Sequence, residues 1–244
     1  MPPKNGAKLI PGDCITVMQS LPADSVDFIF VDPPYGHRNK SNDLLSRIDA
    51  ALSLNPHNKK VWRPILNDNG PDADALFYNI AIEARRVLKH GAVFCCCCSG
   101  GGRDPHFQRW SQWLHEILEY TQTVIWDKGI GLGWHYRNSY ETILVASKRG
   151  KFRWYDDSYK VENVIRHIPR VIPSRNDHPT PKPPELAEHF IRLHTRPGDC
   201  VLDPCMGGGS TGVAALRLGR RFVGIELDPH WYAHAEGKLL DRGE

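Results

Sequence analysis

The 244-residue chain lacks any apolar run long enough to cross a lipid bilayer. Its first residues also lack the apolar segment of a secretory signal. Hydrophobic residues make up 41% of the sequence, a share typical of globular proteins rather than disordered chains. We therefore expect a cytoplasmic protein with a single domain over residues 1–244 and no membrane partner.

A strong excess of charge is also missing. The net charge is only +3, so the overall charge does not by itself indicate nucleic-acid binding. Basic residues are instead concentrated locally, in a polar loop insert over 36–74 and in a stretch around 150–177. Any surface for an acidic partner is therefore expected in these segments.

Outside the run Cys95–Cys98, no two cysteines have the Cys-x-x-Cys spacing that is typical of zinc sites. Four of the seven cysteines are consecutive, from Cys95 to Cys98. Side chains alternate between the two faces of a strand, so these four thiols cannot converge on one metal ion. We expect no metal site, and we interpret residues 92–98 as a buried strand in a protein from a reducing compartment.

The chain does contain a regular alternation of strand-like and helix-like segments, which favours a doubly wound α/β sheet. The predicted strands are 8–10, 25–31, 92–98, 121–127, 140–147, 200–202 and 222–227. The predicted helices are 15–21, 75–89, 106–118, 183–193, 211–218 and 230–240. Gly91 is predicted to end the second helix, and the aromatic stripe of 106–118 is assigned to the core.

The motif Asp32-Pro33-Pro34-Tyr35 directly follows the predicted strand 25–31. In open α/β sheets, ligands bind outside the carboxyl ends of the strands. The Asp32 carboxylate and the Pro33 carbonyl could accept both hydrogens of an exocyclic amine, and the Tyr35 ring could stack on an extruded base. We therefore predict a catalytic motif of Asp32, Pro33, Pro34 and Tyr35.

A glycine-rich loop over 203–212 follows another short strand. Its glycines would let the backbone approach a ligand closely, although a tight structural turn would look similar. The strand 222–226 ends in Glu226, at the place where nucleotide-binding folds hold ribose hydroxyls. Asp203 would repel a phosphate, so a cofactor with an ammonium group and no phosphate fits better, and S-adenosylmethionine is such a cofactor.

Together these motifs resemble those of the β-class amino DNA methyltransferases of bacteria and phages, which methylate adenine N6 or cytosine N4. The segment 178–183 resembles the family's His-Pro-Thr-x-Lys-Pro sequence, and Gly12-Asp13 resembles the turn whose acid binds the cofactor's adenine. By the same resemblance, Thr180 and Lys182 would meet the methionine carboxylate of the cofactor. The resemblance implies S-adenosyl-L-methionine binding by Asp13, Asp32, Thr180, Lys182, Asp203, Cys205, Gly207, Gly209, Ser210, Thr211 and Glu226.

The resemblance also implies a fold: a doubly wound, mostly parallel, Rossmann-like methyltransferase sheet that is circularly permuted and carries a small DNA-recognition insertion. In this permuted order, the strand 8–10 is expected to pair beside the strand that ends at Glu226. In the basic stretch, tryptophan and tyrosine alternate with basic residues, which suits DNA binding, although a solvated hairpin would have the same composition. The predicted DNA contacts are Lys148, Arg149, Lys151, Arg153, Arg166 and Arg170.

The expected reaction is methyl transfer to adenine N6 in duplex DNA, by in-line displacement after base flipping, as in restriction-modification systems. Cytosine N4 is the main alternative, and a DNA-binding relative without turnover is a second. RNA or a protein glutamine as the substrate also stays open. A homodimer is possible as well. Carbon-5 methylation of cytosine is disfavoured, because Cys205 lies inside the glycine loop, where it would face the cofactor.

Overall fold

The computed structural model describes residues 6–35, 66, 70–99, 106–132, 137–171, 178 and 180–240. Most of the predicted insert 36–74, and residues 172–177 of the basic stretch, lie outside this part of the chain. The strands are β1 (Ala7–Pro11), β2 (Val26–Val31), β3 (Leu88–Cys98), β4 (Glu119–Leu132), β5 (Asn138–Ser147), β6 (Val164–Ile165), β7 (Cys200–Asp203) and β8 (Arg221–Glu226).

The helices are α1 (Cys14–Ser20), α2 (Gly70–Val87), α3 (His106–Ile117), α4 (Pro184–His194), α5 (Ser210–Arg217) and α6 (Pro229–Leu240). Proline at the start of α4 fits the first turn, where a missing N–H costs no hydrogen bond. None of these six helices is both long enough and apolar enough to span a membrane.

The strands form one sheet in the order β1-β8-β7-β2-β3-β5-β4-β6. The first five strands of this order are mutually parallel, and β5 runs antiparallel to its two neighbours. β1 pairs in parallel with β8, with Pro11 opposite Glu226. The predicted mostly parallel sheet and the predicted pairing of the first strand with β8 are both confirmed.

Each face of the sheet carries its own hydrophobic core. One core joins β2 and β3 to α4, α5 and α6, and includes Cys95 and Cys97. The other joins them to α1, α2 and α3, and includes Cys96, Cys98 and Trp110. The cysteine run is therefore a strand buried on both faces, as predicted, and the aromatic stripe of α3 contributes to the core.

Gly91 does not end a helix. α2 ends at Val87, and Gly91 lies within β3 with φ +73°. A Cβ at this position would lie 1.9 Å from the carbonyl oxygen of Lys151. Glycine is required here because the segment after β5 crosses in contact with β3, whose Gly91 carbonyl accepts a hydrogen bond from the Arg153 N–H.

At the centre of the sheet, successive strands are added in opposite directions along the strand order. From β2 the chain returns through α2 to β3 on one side, whereas from β7 it returns through α5 to β8 on the other. β2 and β7 are neighbours, so their carboxyl ends form a crevice between the two crossovers. Doubly wound sheets bind ligands in such a crevice.

Candidate active site

A cavity of about 510 Å³ lies in this crevice, a size suited to a nucleoside-like ligand. It brings the two predicted motifs together, although they are about 170 residues apart in the sequence. The predicted residues that line it are Asp13, Asp32, Pro33, Pro34, Tyr35, Thr180, Lys182, Asp203, Cys205, Gly207, Ser210, Thr211 and Glu226. Gly209 lies behind the wall, where it begins α5 and packs against Ala235 and Leu239 of α6.

The glycine loop is held by Glu226. The backbone N–H of Gly207 donates to Oε2 of Glu226 over 2.8 Å, and the N–H of Asp228 donates to Oε1 over 2.8 Å. Gly207 and Gly209 have φ angles of +47° and +77°, which L side chains rarely adopt. Glu226 is thus fixed at the end of β8 by backbone donors, and its carboxylate lines the cavity.

Asp203 is a buried carboxyl group in the wall of the cavity. Burial raises the pKa of Asp203 to about 7, although Thr211 and the N–H of Cys205 donate hydrogen bonds to it. A positively charged ligand group would stabilise its ionised form.

Cys205 lies beside Cys14 in the same wall. A hydrogen bond with Cys14 and burial raise the pKa of the Cys205 thiol well above its usual value. A thiol in this state is a poor nucleophile, which argues against carbon-5 methylation of cytosine.

Asp13 begins α1 as its N-cap. Its carboxylate accepts a hydrogen bond from the Thr16 N–H over 2.9 Å and from the Thr16 hydroxyl over 2.8 Å. The neighbouring Gly12 N–H donates to the carbonyl of Glu226. The first turn of the chain is therefore fixed to the end of β8, and both line the cavity.

At the end of the cavity that contains the predicted catalytic motif, both oxygens of Asp32 have partners. The Tyr35 hydroxyl donates to Oδ1, and the Lys182 ammonium lies 2.6 Å from Oδ2. Lys182 also lies 5.4 Å from the centre of the Tyr35 ring. Burial and the charge of Asp32 raise the pKa of Tyr35 well above its usual value, so its hydroxyl remains a neutral donor.

Two further residues of this end, Lys128 and Glu141, were not among the predicted site residues. Their Nζ and Oε1 atoms lie 2.9 Å apart, and Glu141 Oε2 lies 3.3 Å from Lys182 Nζ. In the β4–β5 hairpin, Trp126 pairs with Glu141, which places Lys128 close to the same carboxylate. The opposite charges of Lys128 and Glu141 on a predicted hairpin could have indicated an ion pair. The sequence does not show that Lys182 also contacts Glu141.

His178 was also missed as a wall residue. Its ring packs against the glycine loop, since a Cβ on Gly207 would lie 3.2 Å from His178 Nε2. It also lies 4.8 Å from the ring of Trp231. Burial lowers the pKa of His178 to about 4, so the ring is neutral and adds no charge near the loop.

The structure does not bring the predicted DNA contacts together at the cavity. Lys148 Nζ lies 2.7 Å from Asp24, and Arg153 Nη1 lies 2.8 Å from Asp27, both at the amino ends of the strands. These ion pairs join the segment 148–153 to the amino end of β2, at the edge of the sheet opposite Asp32. The exposed Arg149 and Lys151 lie in the same segment, which packs on Gly91.

Arg166 and Arg170 lie elsewhere. They are exposed and follow β6, whose chain continues to Val171 in the cavity wall. Trp126 anchors this segment by donating to the carbonyl of Ile168 over 2.7 Å. Of the six predicted DNA contacts, these two lie nearest along the chain to the cavity wall.

The chain is similar to known DNA methylases over almost its whole length. It is 29% identical to DNA adenine methyltransferase YhdJ of Escherichia coli K12, over 93% of this chain and 81% of that protein. The PvuII DNA methyltransferase, described as cytosine-N4-specific, has the same fold with a TM-score of 0.75 and 18% identity, over 99% of this chain and 89% of the other.

The M1.HpyAVI methyltransferase, solved as a complex with S-adenosylmethionine, has a TM-score of 0.67 at 24% identity and covers 96% of this chain and 99% of its own. A sequence model of the DNA methylase family matches residues 26–237, which include both the catalytic motif and the glycine loop. The chain therefore belongs to the DNA methylase family of N6 and N4 methyltransferases.

Proposed function

We propose that this protein transfers a methyl group from S-adenosyl-L-methionine to N6 of adenine in duplex DNA. One observation supports this most strongly: the Asp32 carboxylate at the end of β2 faces the same cavity as the glycine loop at the end of β7. A carboxylate acceptor for an amine and a nucleoside-sized space therefore adjoin each other.

The cavity wall fits S-adenosylmethionine, which supplies an activated methyl group when bound. Asp203 can balance the positively charged amino group, and its raised pKa indicates a carboxyl group that lacks such a charge nearby. The Glu226 carboxylate would hold the ribose hydroxyls, and Asp13 would meet the adenine. Thr180 would contact the methionine carboxylate, whereas the ammonium of Lys182 is already engaged by Asp32 and Glu141.

At the other end of the cavity, the target amine would donate its two hydrogens to Asp32 and to the Pro33 carbonyl. This arrangement draws the nitrogen lone pair out of conjugation with the ring and so makes the amine more nucleophilic. The base would stack on Tyr35, whose ring lies 6.4 Å from that of Trp110 and is fixed by this contact. A base that reaches this position must leave the duplex, at a cost of a few kcal/mol.

Backbone contacts must offset part of that cost. We infer that Arg166 and Arg170, rather than the segment 148–153, approach the phosphates near the extruded base. They precede Val171 of the cavity wall, and the ion pair that Arg166 makes with Glu162 is exposed, whereas the ion pairs of Lys148 and Arg153 lie at the far edge.

Adenine is favoured over cytosine by two observations. The motif begins with an acid, as is typical of adenine enzymes, and the E. coli relative is named for adenine methylation. Both bases present an exocyclic amine, so the same acceptors would also serve cytosine N4.

Identification of the modified nucleoside tests the proposal. The protein is incubated with isotopically labelled cofactor and duplex DNA of mixed sequence, and the DNA is digested to nucleosides for mass spectrometry. N6-methyldeoxyadenosine is expected. N4-methyldeoxycytidine would contradict the base assignment, and cofactor binding without any labelled nucleoside would support a DNA-binding relative without turnover.

A further inference from the structure

Four charged side chains form a row of alternating sign along the catalytic end of the cavity. Lys128 Nζ lies 2.9 Å from Glu141 Oε1, and Glu141 Oε2 lies 3.3 Å from Lys182 Nζ. Lys182 Nζ in turn lies 2.6 Å from Asp32 Oδ2. All four residues line the cavity, so the row extends from the β4–β5 hairpin to the catalytic carboxylate.

This row conflicts with the role of Asp32 as an acceptor for the target amine. Oδ1 accepts from Tyr35 and Oδ2 is bound by an ammonium group. A carboxylate oxygen that already binds an ammonium is a weaker acceptor for a neutral amine, because the cation draws its electron density. Lys182 must therefore loosen its hold on Oδ2 when the amine arrives.

Glu141 provides another position for that ammonium. Its Oε2 is buried and makes no hydrogen bond within the described part of the chain, although Lys182 lies only 3.3 Å away. Burial would raise the pKa of Glu141, but the ammonium groups of Lys182 and Lys128 outweigh this effect and lower it, so the carboxylate is charged. Lys182 therefore has a long ion pair with this oxygen and a short one with Asp32, and a short movement of the ammonium would exchange the two.

We propose that Glu141 is a positioning residue that takes the ammonium of Lys182 from Asp32 as the target amine enters, so that Oδ2 can accept a hydrogen of the amine. The proposal rests on the acceptor role of Asp32 proposed above. Lys128 keeps its contact with Oε1 throughout and holds Glu141 in place. In the second arrangement Glu141 binds the ammonium groups of both Lys128 and Lys182, and the Asp32 carboxylate is stabilised by hydrogen bonds from the Tyr35 hydroxyl and the incoming amine.

Glu141→Gln is the direct test, because it keeps the size of the side chain and removes its charge. The matched control is Glu188→Gln on α4. The Glu188 side chain has the same exposed fraction, 17%, and also contacts two cations, Arg217 at 3.2 Å and Arg192 at 3.8 Å. Glu141→Gln should lower the single-turnover rate of methyl transfer by roughly tenfold to a hundredfold, with little effect from the control. The Kd for S-adenosylmethionine should stay within about threefold for both variants, because the row lies at the other end of the cavity.

A binding measurement without turnover tests the same step. Duplexes that carry either the mapped target base or its analogue without the exocyclic amine are bound in the presence of S-adenosylhomocysteine. The analogue is purine for adenine and 2-pyrimidinone for cytosine. Glu141→Gln should weaken binding of the amine-bearing duplex relative to the analogue, and Glu188→Gln should leave the wild-type ratio unchanged.

A double variant tests whether Glu141 acts through Lys182. If Glu141 acts through Lys182, then Glu141→Gln should cost less than about threefold in a Lys182→Met background, because no ammonium remains to be moved. Independent, multiplicative losses would overturn the proposal, and so would a wild-type rate and binding ratio in the single variant. Methylation of cytosine by the wild-type protein would overturn only the base assignment, because that amine needs the same acceptors.

Discussion

Asp203 ends β7 and lies beside Asp32, which follows the neighbouring strand β2, and both carboxyl groups face the cavity. Burial raises the pKa of Asp203 to about 7, and the negative charge of Asp32 adds to this shift. The part of the cavity beside the glycine loop is therefore suited to a positively charged ligand group.

Binding of S-adenosylmethionine should consequently depend on pH. At pH 5.5 most Asp203 is protonated in the free protein, and binding of a positively charged amino group must release that proton. The Kd should therefore be about ten- to thirtyfold higher at pH 5.5 than at pH 7.5, since each pH unit below the pKa is worth about a factor of ten. Isothermal titration calorimetry of the wild type and of Asp203→Asn measures this dependence of the Kd on pH.

His178, with its pKa near 4, remains neutral throughout this pH range. An equally steep pH dependence in Asp203→Asn would assign the effect to another group.

The same carboxyl group should affect folding stability without cofactor. Its folded pKa of about 7 lies above the ordinary value of 3.8, so between these values the folded state holds more protons than the unfolded state. The contribution of Asp203 to the free energy of unfolding should thus be greatest below about pH 4 and decline as the pH rises to about 7. Urea titrations across this range should show a smaller decline for Asp203→Asn.

Glu226→Ala should raise the Kd for S-adenosylmethionine by roughly tenfold to a hundredfold. The change removes the proposed ribose acceptor and also the carboxylate that holds the N–H groups of Gly207 and Asp228. Glu236→Ala is the control, because Glu236 is exposed on α6 and bonds only over 3.2 Å to Tyr232 among the contacts described. Calorimetry that finds the same affinity in both variants would refute the role of Glu226.

Tyr35→Ala and Tyr35→Phe should both slow methyl transfer, but to different extents. The phenylalanine keeps the ring and loses the hydroxyl that donates to Asp32, so we expect a loss of roughly tenfold in the single-turnover rate. The alanine also loses base stacking, worth about 1–3 kcal/mol, so its loss should exceed a hundredfold. Equal losses in the two variants would show that stacking contributes nothing.

Arg170→Ala and Lys151→Ala separate the two edges of the sheet. Arg170 lies one residue before the cavity wall, whereas Lys151 packs over Gly91 at the opposite edge. Arg170→Ala should weaken DNA binding for all sequences and reduce the slope of log K against log salt by about one, and Lys151→Ala should change neither. If Lys151→Ala weakened DNA binding and Arg170→Ala did not, the DNA-binding surface would include the segment 148–153 instead.

The two motifs could be predicted from the sequence because their chemistry is local. Asp32-Pro33-Pro34-Tyr35 and the glycine loop each follow an apolar strand directly, and the sheet rule places both at the carboxyl edge. The pairing of β1 with β8 followed from the order of the motifs. The boundaries of most elements shifted by only a few residues.

The remaining features depend on contacts between segments that are distant in the sequence. Lys182 meets Glu141 only because α4, which follows Lys182, packs over β2 and β3, while the β4–β5 hairpin lies next to β3 in the sheet. Likewise, the basic composition of 148–153 does not show which edge of the sheet it occupies. Its partners, Asp24 and Asp27, flank or lie within an apolar strand that gives no sign of an ion pair.

Single-turnover methyl transfer by Asp32→Ala, measured together with the Kd for S-adenosylmethionine, tests the central claim most directly. The claim is that Asp32 acts on the target amine while the glycine loop and Glu226 hold the cofactor. Methyl transfer to duplex DNA should fall by about a hundredfold or more, the usual effect of removing a polar group at the reacting atom, with the Kd changed only a few-fold. A transfer rate within a few-fold of the wild type, in a folded variant that binds the cofactor normally, would contradict this assignment.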